Sequence, residues 1–249
     1  MKIIATIEAR MNSSRLPGKI LKEVCQKPIL QHIYERAKRA TKVHQVAIIT
    51  TLNPLDNATE AFCQKNNFDF FRGSEDNVLD RLISAGDYFQ TDYIMQLTGD
   101  CPFVEPRLID HCIDLYFDQN QKPRFDYFSN RLRPTFPTGL DVQIYPLHVL
   151  KKVADLTQDP TDQEHGAFYI YNHPEIFKLG TFTSNNLKCP EKRWVLDYPE
   201  DFEFTKVVYE ALYEKNPHFD HYDILRFLEK NPEVEKINDM HSLIIKNYI

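Results

Sequence analysis

Glycine is scarce in this chain, with seven in 249 residues, about half the usual share. No two glycines stand one residue apart, so the G-x-G of a dinucleotide-binding turn is absent. The G-x-x-x-x-G-K-[ST] phosphate loop is absent as well. The five cysteines, Cys25, Cys63, Cys101, Cys112 and Cys189, contain no C-x-x-C pair and are odd in number. That pattern argues against a disulfide framework or a zinc site and reads as free thiols. No apolar run approaches about 18 residues, so no membrane-spanning helix is expected. The apolar run at the start, within Met1–Glu8, is too short for a signal peptide and has no small-residue cleavage site after it. The protein reads as cytoplasmic, with no membrane partner.

What is present is ordinary globular material, 42% hydrophobic and 27% charged. A chain this apolar can offset the entropy of ordering, which excludes disorder. Each scarce glycine is expected to mark a backbone position that needs it. The net charge of −6 conceals an asymmetry. Residues 1–50 hold ten Lys/Arg against three acids, a balance of +7, so the other 199 residues carry −13. A basic segment in an acidic protein points to a local anion site rather than to a nucleic-acid surface. A solvated basic helix over 27–42 accounts for Lys38, Arg39 and Lys42. It does not account for Arg10, Arg15 and Lys19, which fall in a loop.

Short apolar runs at Ile3–Ala9, Val46–Thr51, Phe68–Phe71 and Tyr93–Leu97 predict strands. Helical patterns at 27–40, 56–67, 76–90 and 106–118 follow them in turn. In the last of these, Leu108, Ile109, Cys112, Ile113, Tyr116 and Phe117 share one face, and Pro106 suits the first turn. This alternation demands parallel strands with crossover helices. Beyond residue 120 the pattern predicts strands at Phe125–Ser129, Val142–Tyr145, Phe177–Thr183 and Trp194–Leu196. Helices are predicted at 147–155, 161–173, 200–215 and 221–230. The expected organisation is a single domain over 1–249: an α/β half (1–120), a β-rich portion (121–190) and a return to the core with C-terminal helices (191–249).

The most informative stretch runs from Ile7 to Lys19, I-E-A-R-M-N-S-S-R-L-P-G-K. It follows the first strand, at the carboxyl edge where open α/β sheets bind ligands. Three cations, two hydroxyls and a glycine within it are the mixture that a triphosphate needs. Two aspartates, Asp100 and Asp197, each follow a predicted strand. If those strands are neighbours, both carboxylates emerge at one sheet edge within roughly 8 Å of each other, an oxygen site suited to Mg²⁺.

The A-R-x-x-S-x-R-L-P-G-K pattern resembles the nucleotide-binding signature of cytidylyltransferases that activate acidic sugars, such as the CMP-Kdo and CMP-sialic acid synthetases. It resembles still more the SpsF-type spore-coat polysaccharide proteins. Further support comes from F-R-G-S-E-D-N-V-L-D-R (71–81), L-T-G-D-C-P (97–102), T-F-P-T-G-L-D-V (135–142), Glu164-His165 and R-W-V-L-D-Y-P-E-D (193–201). The likeness spans about residues 1–210. It implies a Rossmann-like α/β nucleotidyltransferase fold with a mixed, mainly parallel sheet and a small β-rich lid or dimerisation portion, and a homodimer is one expected assembly.

The resemblance also implies roles. Arg10, Ser14, Arg15 and Lys19, with Ala9 at the base of the loop, would bind the CTP phosphates, and Arg10, Lys19 and Asp100 would serve catalysis. Arg72, Ser74, Asp76 and Gln96 would lie near base and ribose. Asp100 and Asp197 would hold Mg²⁺, while Asp201 reads as a first-turn acid favoured by a helix dipole. Arg133, Asp141, Glu164 and His165 would face an acidic sugar or sugar phosphate, with His165 a possible proton shuttle. Two departures bear on that acceptor: Gln163 stands where the family usually has arginine, and Gly166-Ala167-Phe168 where it often has Val-Thr-Pro. Two other readings stand beside this one: a nucleotide-sugar glycosyltransferase, whose usual D-x-D is absent here, and a non-catalytic nucleotide-sugar-binding protein.

Overall fold

The computed structural model describes residues 1–242, so residues 243–249 of the expected return to the core lie outside the described residues. The chain enters on β1 (Ile3–Glu8), buried along nearly its whole length, as a strand covered by helices on both sides must be. A two-strand ribbon of β2 (Glu23–Val24) and β3 (Lys27–Pro28) leads into α1 (Ile29–Ala37). Then β4 (Gln45–Thr51), α2 (Asn57–Asn66), β5 (Phe70–Gly73), α3 (Val78–Tyr88), β6 (Tyr93–Thr98) and α4 (Pro106–Tyr116) alternate as the apolar periodicity predicts. Local chemistry sets several starts: the Asn77 side chain accepts from the Asp80 N–H, and Glu105 accepts from Arg107 N–H ahead of Pro106.

The second half supplies β7 (Tyr127–Ser129), β8 (Gln143–Pro146), α5 (Leu147–Leu156), α6 (Pro160–Glu164), α7 (Phe168–Asn172) and β9 (Leu179–Thr181). It closes with α8 (Pro199–Leu212), α9 (His221–Lys230) and α10 (Pro232–Glu235). One seven-stranded sheet runs β5-β4-β1-β6-β8-β7-β9. The first four strands of that order are parallel, β8 is antiparallel to both its neighbours, and β9 is parallel to β7. The sheet is mixed and mainly parallel, and β8, β7 and β9 of the β-rich portion extend its edge.

Apolar layers cover both faces. Ile3, Ala5 and Ile7 pack with Ile33, Ile109, Phe204 and Ile224 on one side. Ile4 and Ile49 pack with Leu82 and Leu150 on the other. Glu8 pairs across to Ile49 and to Thr98, so β1, β4 and β6 end together and their following loops leave from one edge.

Two expectations fail. Trp194–Leu196 is not a strand. It is an extended clamp in which the Trp194 N–H donates to the Thr138 carbonyl and the Leu196 N–H to the Asp100 carbonyl, both at 2.8 Å. With a different partner at each end, it builds no ladder. The helix expected over 161–173 divides into α6 and α7, because Gly166 takes φ 53°, the left-handed conformation that ends a helix.

Candidate active site

The loop after β1 is shaped by its own backbone. Ala9, buried at its base, donates its N–H to the Ile49 carbonyl at 3.0 Å. Met11 N–H donates to Asp56 Oδ1 at 2.7 Å, and the buried Asp56 also accepts from the Thr51 hydroxyl. The Met11 carbonyl in turn accepts from Ser13 N–H at 2.9 Å and Gly18 N–H at 3.0 Å. Gly18 sits at φ 69°, where a side chain would be strained. The result presents Arg10, Ser14 and Arg15 to solvent. Among the described residues no acceptor takes the backbone N–H groups of Asn12, Ser14 and Arg15. Free N–H groups beside guanidinium forks form a concavity suited to an oxyanion.

Lys19, in the short 3-10 turn that follows, reaches back across the sheet edge. Its Nζ donates to the Leu196 carbonyl at 2.7 Å and to Asp197 Oδ1 at 2.8 Å, and stands 3.8 Å from Asp100 Oδ2. Those two carboxylate oxygens are therefore no farther apart than these two contacts laid end to end. Arg15 pairs with Asp197 Oδ2 at 3.1 Å. Burial raises the Asp100 carboxyl, but the Lys19 charge and bonds from Thr98 and Cys101 outweigh it and hold the group below its ordinary range. Gly99 allows this approach: its N–H donates to the Glu8 carbonyl at 2.8 Å, and a Cβ there would stand 2.7 Å from that oxygen.

Asp197 is held by a buried knot. Arg193 forks onto Asp201 through Nε at 2.8 Å and Nη2 at 2.7 Å. Asp201 Oδ2 also accepts the N–H groups of Asp197 and Tyr198, both at 2.9 Å. Asn238 closes the knot, donating to Asp201 Oδ1 at 2.9 Å. The Asp201 carboxyl pays for burial but is held low by Arg193, Asn238 and the backbone donors. It also stands in the first turn of α8, where the sequence placed it as an acid that a helix dipole favours.

The residues expected near base and ribose separate. Arg72 is turned to structure: it donates to the carbonyls of Thr51 and Asn53 at 2.8 and 2.9 Å and pairs with Glu60, tying β4 to α2. Its guanidinium is thus engaged by β4, α2 and the turn between them. Ser74 accepts from Asn77 N–H at 3.1 Å, ahead of α3, and Asp76 is exposed beside it. Gln96 is buried, and its amide donates to Glu8 while its carbonyl oxygen accepts from Gln143 at 2.7 Å and from Tyr145. Gln143 accepts from the Tyr127 hydroxyl at 2.6 Å. This network floors the sheet edge. Burial pushes the Glu8 carboxyl up, against the opposing pull of Arg81 and Gln96.

On the acceptor side, Asp141 faces Arg131 at 3.8 Å, and Arg133 is exposed. Burial pushes the Asp141 carboxyl up, Arg131 pulls it down, and Asp100 pushes it up again. Gly139, at φ 103°, lies so close to the clamp that a Cβ would stand 2.4 Å from the Trp194 carbonyl oxygen. Glu164 and His165 are exposed at the corner between α6 and α7, where Gly166 comes within 3.9 Å of Gln96 Nε2 when given a Cβ.

A cytidylyltransferase profile matches residues 4–231. The chain belongs to the cytidylyltransferase family. It is similar to the spore coat polysaccharide biosynthesis protein SpsF of Bacillus subtilis, 30% identical over 237 residues, which covers 93% of this chain and 95% of that protein. It is also similar to the 3-deoxy-manno-octulosonate cytidylyltransferase of Geobacter sulfurreducens, 30% identical over 222 residues, 85% of this chain and 82% of the relative. Among solved structures, a cytidylyltransferase from Leptospira borgpetersenii superposes with a TM-score of 0.87 at 31% identity, over 94% of this chain and 96% of that one. This cytidylyltransferase is thus a CTP-dependent nucleotidyltransferase. Among the described residues, no helix is long and apolar enough to cross a membrane.

Sequence reasoning passed over Asp56, Glu8, Arg81, Gln143, Tyr127 and Asn238. Glu8 lay inside the loop motif and could have been read as its first polar member. Nothing in the local pattern marks Asn238, whose partners are 45 and 37 residues away.

Proposed function

We propose that this cytidylyltransferase moves CMP from CTP to an oxygen of an acidic sugar of the Kdo or nonulosonate class, or of a sugar phosphate, releasing pyrophosphate for surface polysaccharide synthesis. One observation carries the reading: Lys19 Nζ stands within 4 Å of both Asp100 and Asp197, with Arg15 on the same Asp197. The phosphate-binding loop and the two carboxylates meet at one point.

Arg10, Arg15, Lys19 and Ser14, with the free loop N–H groups, would neutralise and orient the β- and γ-phosphates, so that pyrophosphate leaves a positively charged cradle. Phosphoryl transfer needs chiefly this positioning and charge compensation. Ser74, Asp76 and Gln96 would border the base and ribose, with Arg72 left to its structural role. Arg131, Arg133, Asp141, Glu164 and His165 would border the acceptor. The donor set fits Mg²⁺: Asp100 and Asp197 offer hard carboxylate oxygens about one point that already draws the Lys19 cation. When bound, Mg²⁺ would neutralise phosphate oxygens and draw charge from the reacting phosphorus.

Pyrophosphate release should be measured for the four nucleoside triphosphates against a panel of sugar acids and sugar phosphates. CTP with at least one sugar acid or sugar phosphate is expected to react. CTP binding with no release for any acceptor would point to the non-catalytic reading, and preference for another nucleotide would overturn the proposal.

A further inference from the structure

A second cationic site lies away from the sheet edge, at the end of α1. A cleft of about 150 Å³ is lined by Arg36, Arg39, Tyr209, Tyr213 and His218, and by one carboxylate, Glu35, which Lys27 neutralises. Arg36 is 4% exposed. Its Nε donates to the Val104 carbonyl at 2.8 Å and its Nη2 to the Phe219 carbonyl at 3.1 Å, but its buried Nη1 has no partner among the described residues. Neither Arg36 nor Arg39 has a carboxylate within ion-pair distance among the described residues. Glu35 is engaged by Lys27 at 2.8 Å and Glu105 by His221 at 3.4 Å. Arg39 donates to His218 Nδ1. Burial and the neighbouring Arg36 charge lower the Arg39 pKa against the opposing pull of Glu105, a carboxylate that Arg36 also helps to hold low without touching it.

A buried guanidinium with no carboxylate in direct contact is costly. The Phe219 face, 4.7 Å from the Arg36 guanidinium, compensates only in part. Buried Arg36 and half-buried Arg39 on a small cleft walled by tyrosine and histidine match one compact, tetrahedral oxyanion of multiple charge. The cleft is too small for a nucleotide. We propose that it binds a phosphate group, free or as a small monoester, at a site separate from the CTP phosphate loop. Its walls touch the segment after Asp100: Arg36 holds the Val104 carbonyl, and the Tyr209 hydroxyl holds the Pro102 carbonyl at 2.7 Å. An anion drawn onto Arg36 therefore acts on the stretch that carries Asp100.

Calorimetric titration of the full chain with inorganic phosphate, and in parallel with glycerol 3-phosphate, tests the site. Three variants separate it from the phosphate loop. The unaltered protein should bind at least one of the two ligands with a Kd below about 10 mM. Arg39→Ala should weaken that binding at least tenfold, and Arg39→Lys, which keeps charge but loses the fork, by less. All titrations are run in saturating CTP, which occupies the phosphate loop, so Arg15→Ala, saturated in the same way, should leave this second binding within twofold. Circular dichroism melts confirm that each variant is folded. Binding of phosphate alone identifies the free anion as the ligand, and binding of both admits a monoester. Binding lost in Arg15→Ala and kept in Arg39→Ala, or no binding of either ligand, would overturn the proposal. Because the readout is phosphate binding, it stands or falls separately from the choice of acceptor sugar.

Discussion

Arg193 and Asp201 meet as two parallel hydrogen bonds, 2.8 and 2.7 Å long, with side chains 4% and 0% exposed. The pair fixes the backbone N–H groups of Asp197 and Tyr198 and so aims the Asp197 carboxylate at Lys19. Removing one member leaves a buried charge without its partner, which typically costs about 3–5 kcal/mol. Arg193→Met should lower stability by that order in urea melts. Arg193 thereby acts through Asp197 as a positioning residue, so a concentration of osmolyte that restores folding should leave turnover depressed.

The same pair sets an acid limit on stability. The folded Asp201 carboxyl lies below its unfolded value, so its contribution is complete above the unfolded pKa, about 4, and is lost as pH falls through the lower folded value. Melting temperature should fall below about pH 4, and Asp201→Asn should flatten that part of the profile as well as lowering it throughout.

Gly139 is the glycine whose replacement has the clearest outcome. Its φ of 103° and the 2.4 Å approach of the Trp194 oxygen leave no room for a Cβ. Gly139→Ala should destabilise the protein by about 3 kcal/mol or more, measured by chemical denaturation. A change under 1 kcal/mol (roughly the cost of an unremarkable surface substitution) would mean that the clamp yields.

Arg15→Ala should weaken CTP binding by about 1.5–3 kcal/mol, the range for a charge-assisted hydrogen bond, as read by calorimetry. Unchanged affinity would make the loop a basic surface only. Arg133→Ala should raise KM for the acceptor and leave KM for CTP nearly unchanged, because it removes contact with one substrate. Equal loss for both would place Arg133 at the nucleotide.

Much of this was legible in the chain itself. Alternating apolar runs gave the order β1-α1-β4-α2-β5-α3-β6-α4 because each element buries its own periodic face against the next. The loop after β1 was legible as a basic segment because Arg10, Arg15 and Lys19 fall within ten residues and in no α-helix. Trp194–Leu196 misled because β-prone residues become a strand only when a neighbour offers a continuous ladder, and here Thr138 and Asp100 each offer one bond. Arg72 was legible only as a cation beside a motif, which has the same spelling whether it faces ligand or ties two elements together, as its bonds to β4 and α2 do here. Arg39 was assigned to a solvated face, yet it borders a cleft, since helix periodicity does not foresee the later segment around His218 and Phe219 that covers it.

The central claim is that Asp100 and Asp197 serve the reaction from beside Lys19. Turnover of CTP by Asp100→Asn, followed as pyrophosphate release together with the melting temperature, tests it most directly. The account predicts a fall of at least about hundredfold in kcat, on the scale of losing a directed charge in the transition state, with the fold retained. Turnover within a few-fold of the unaltered enzyme in a folded Asp100→Asn protein would contradict it.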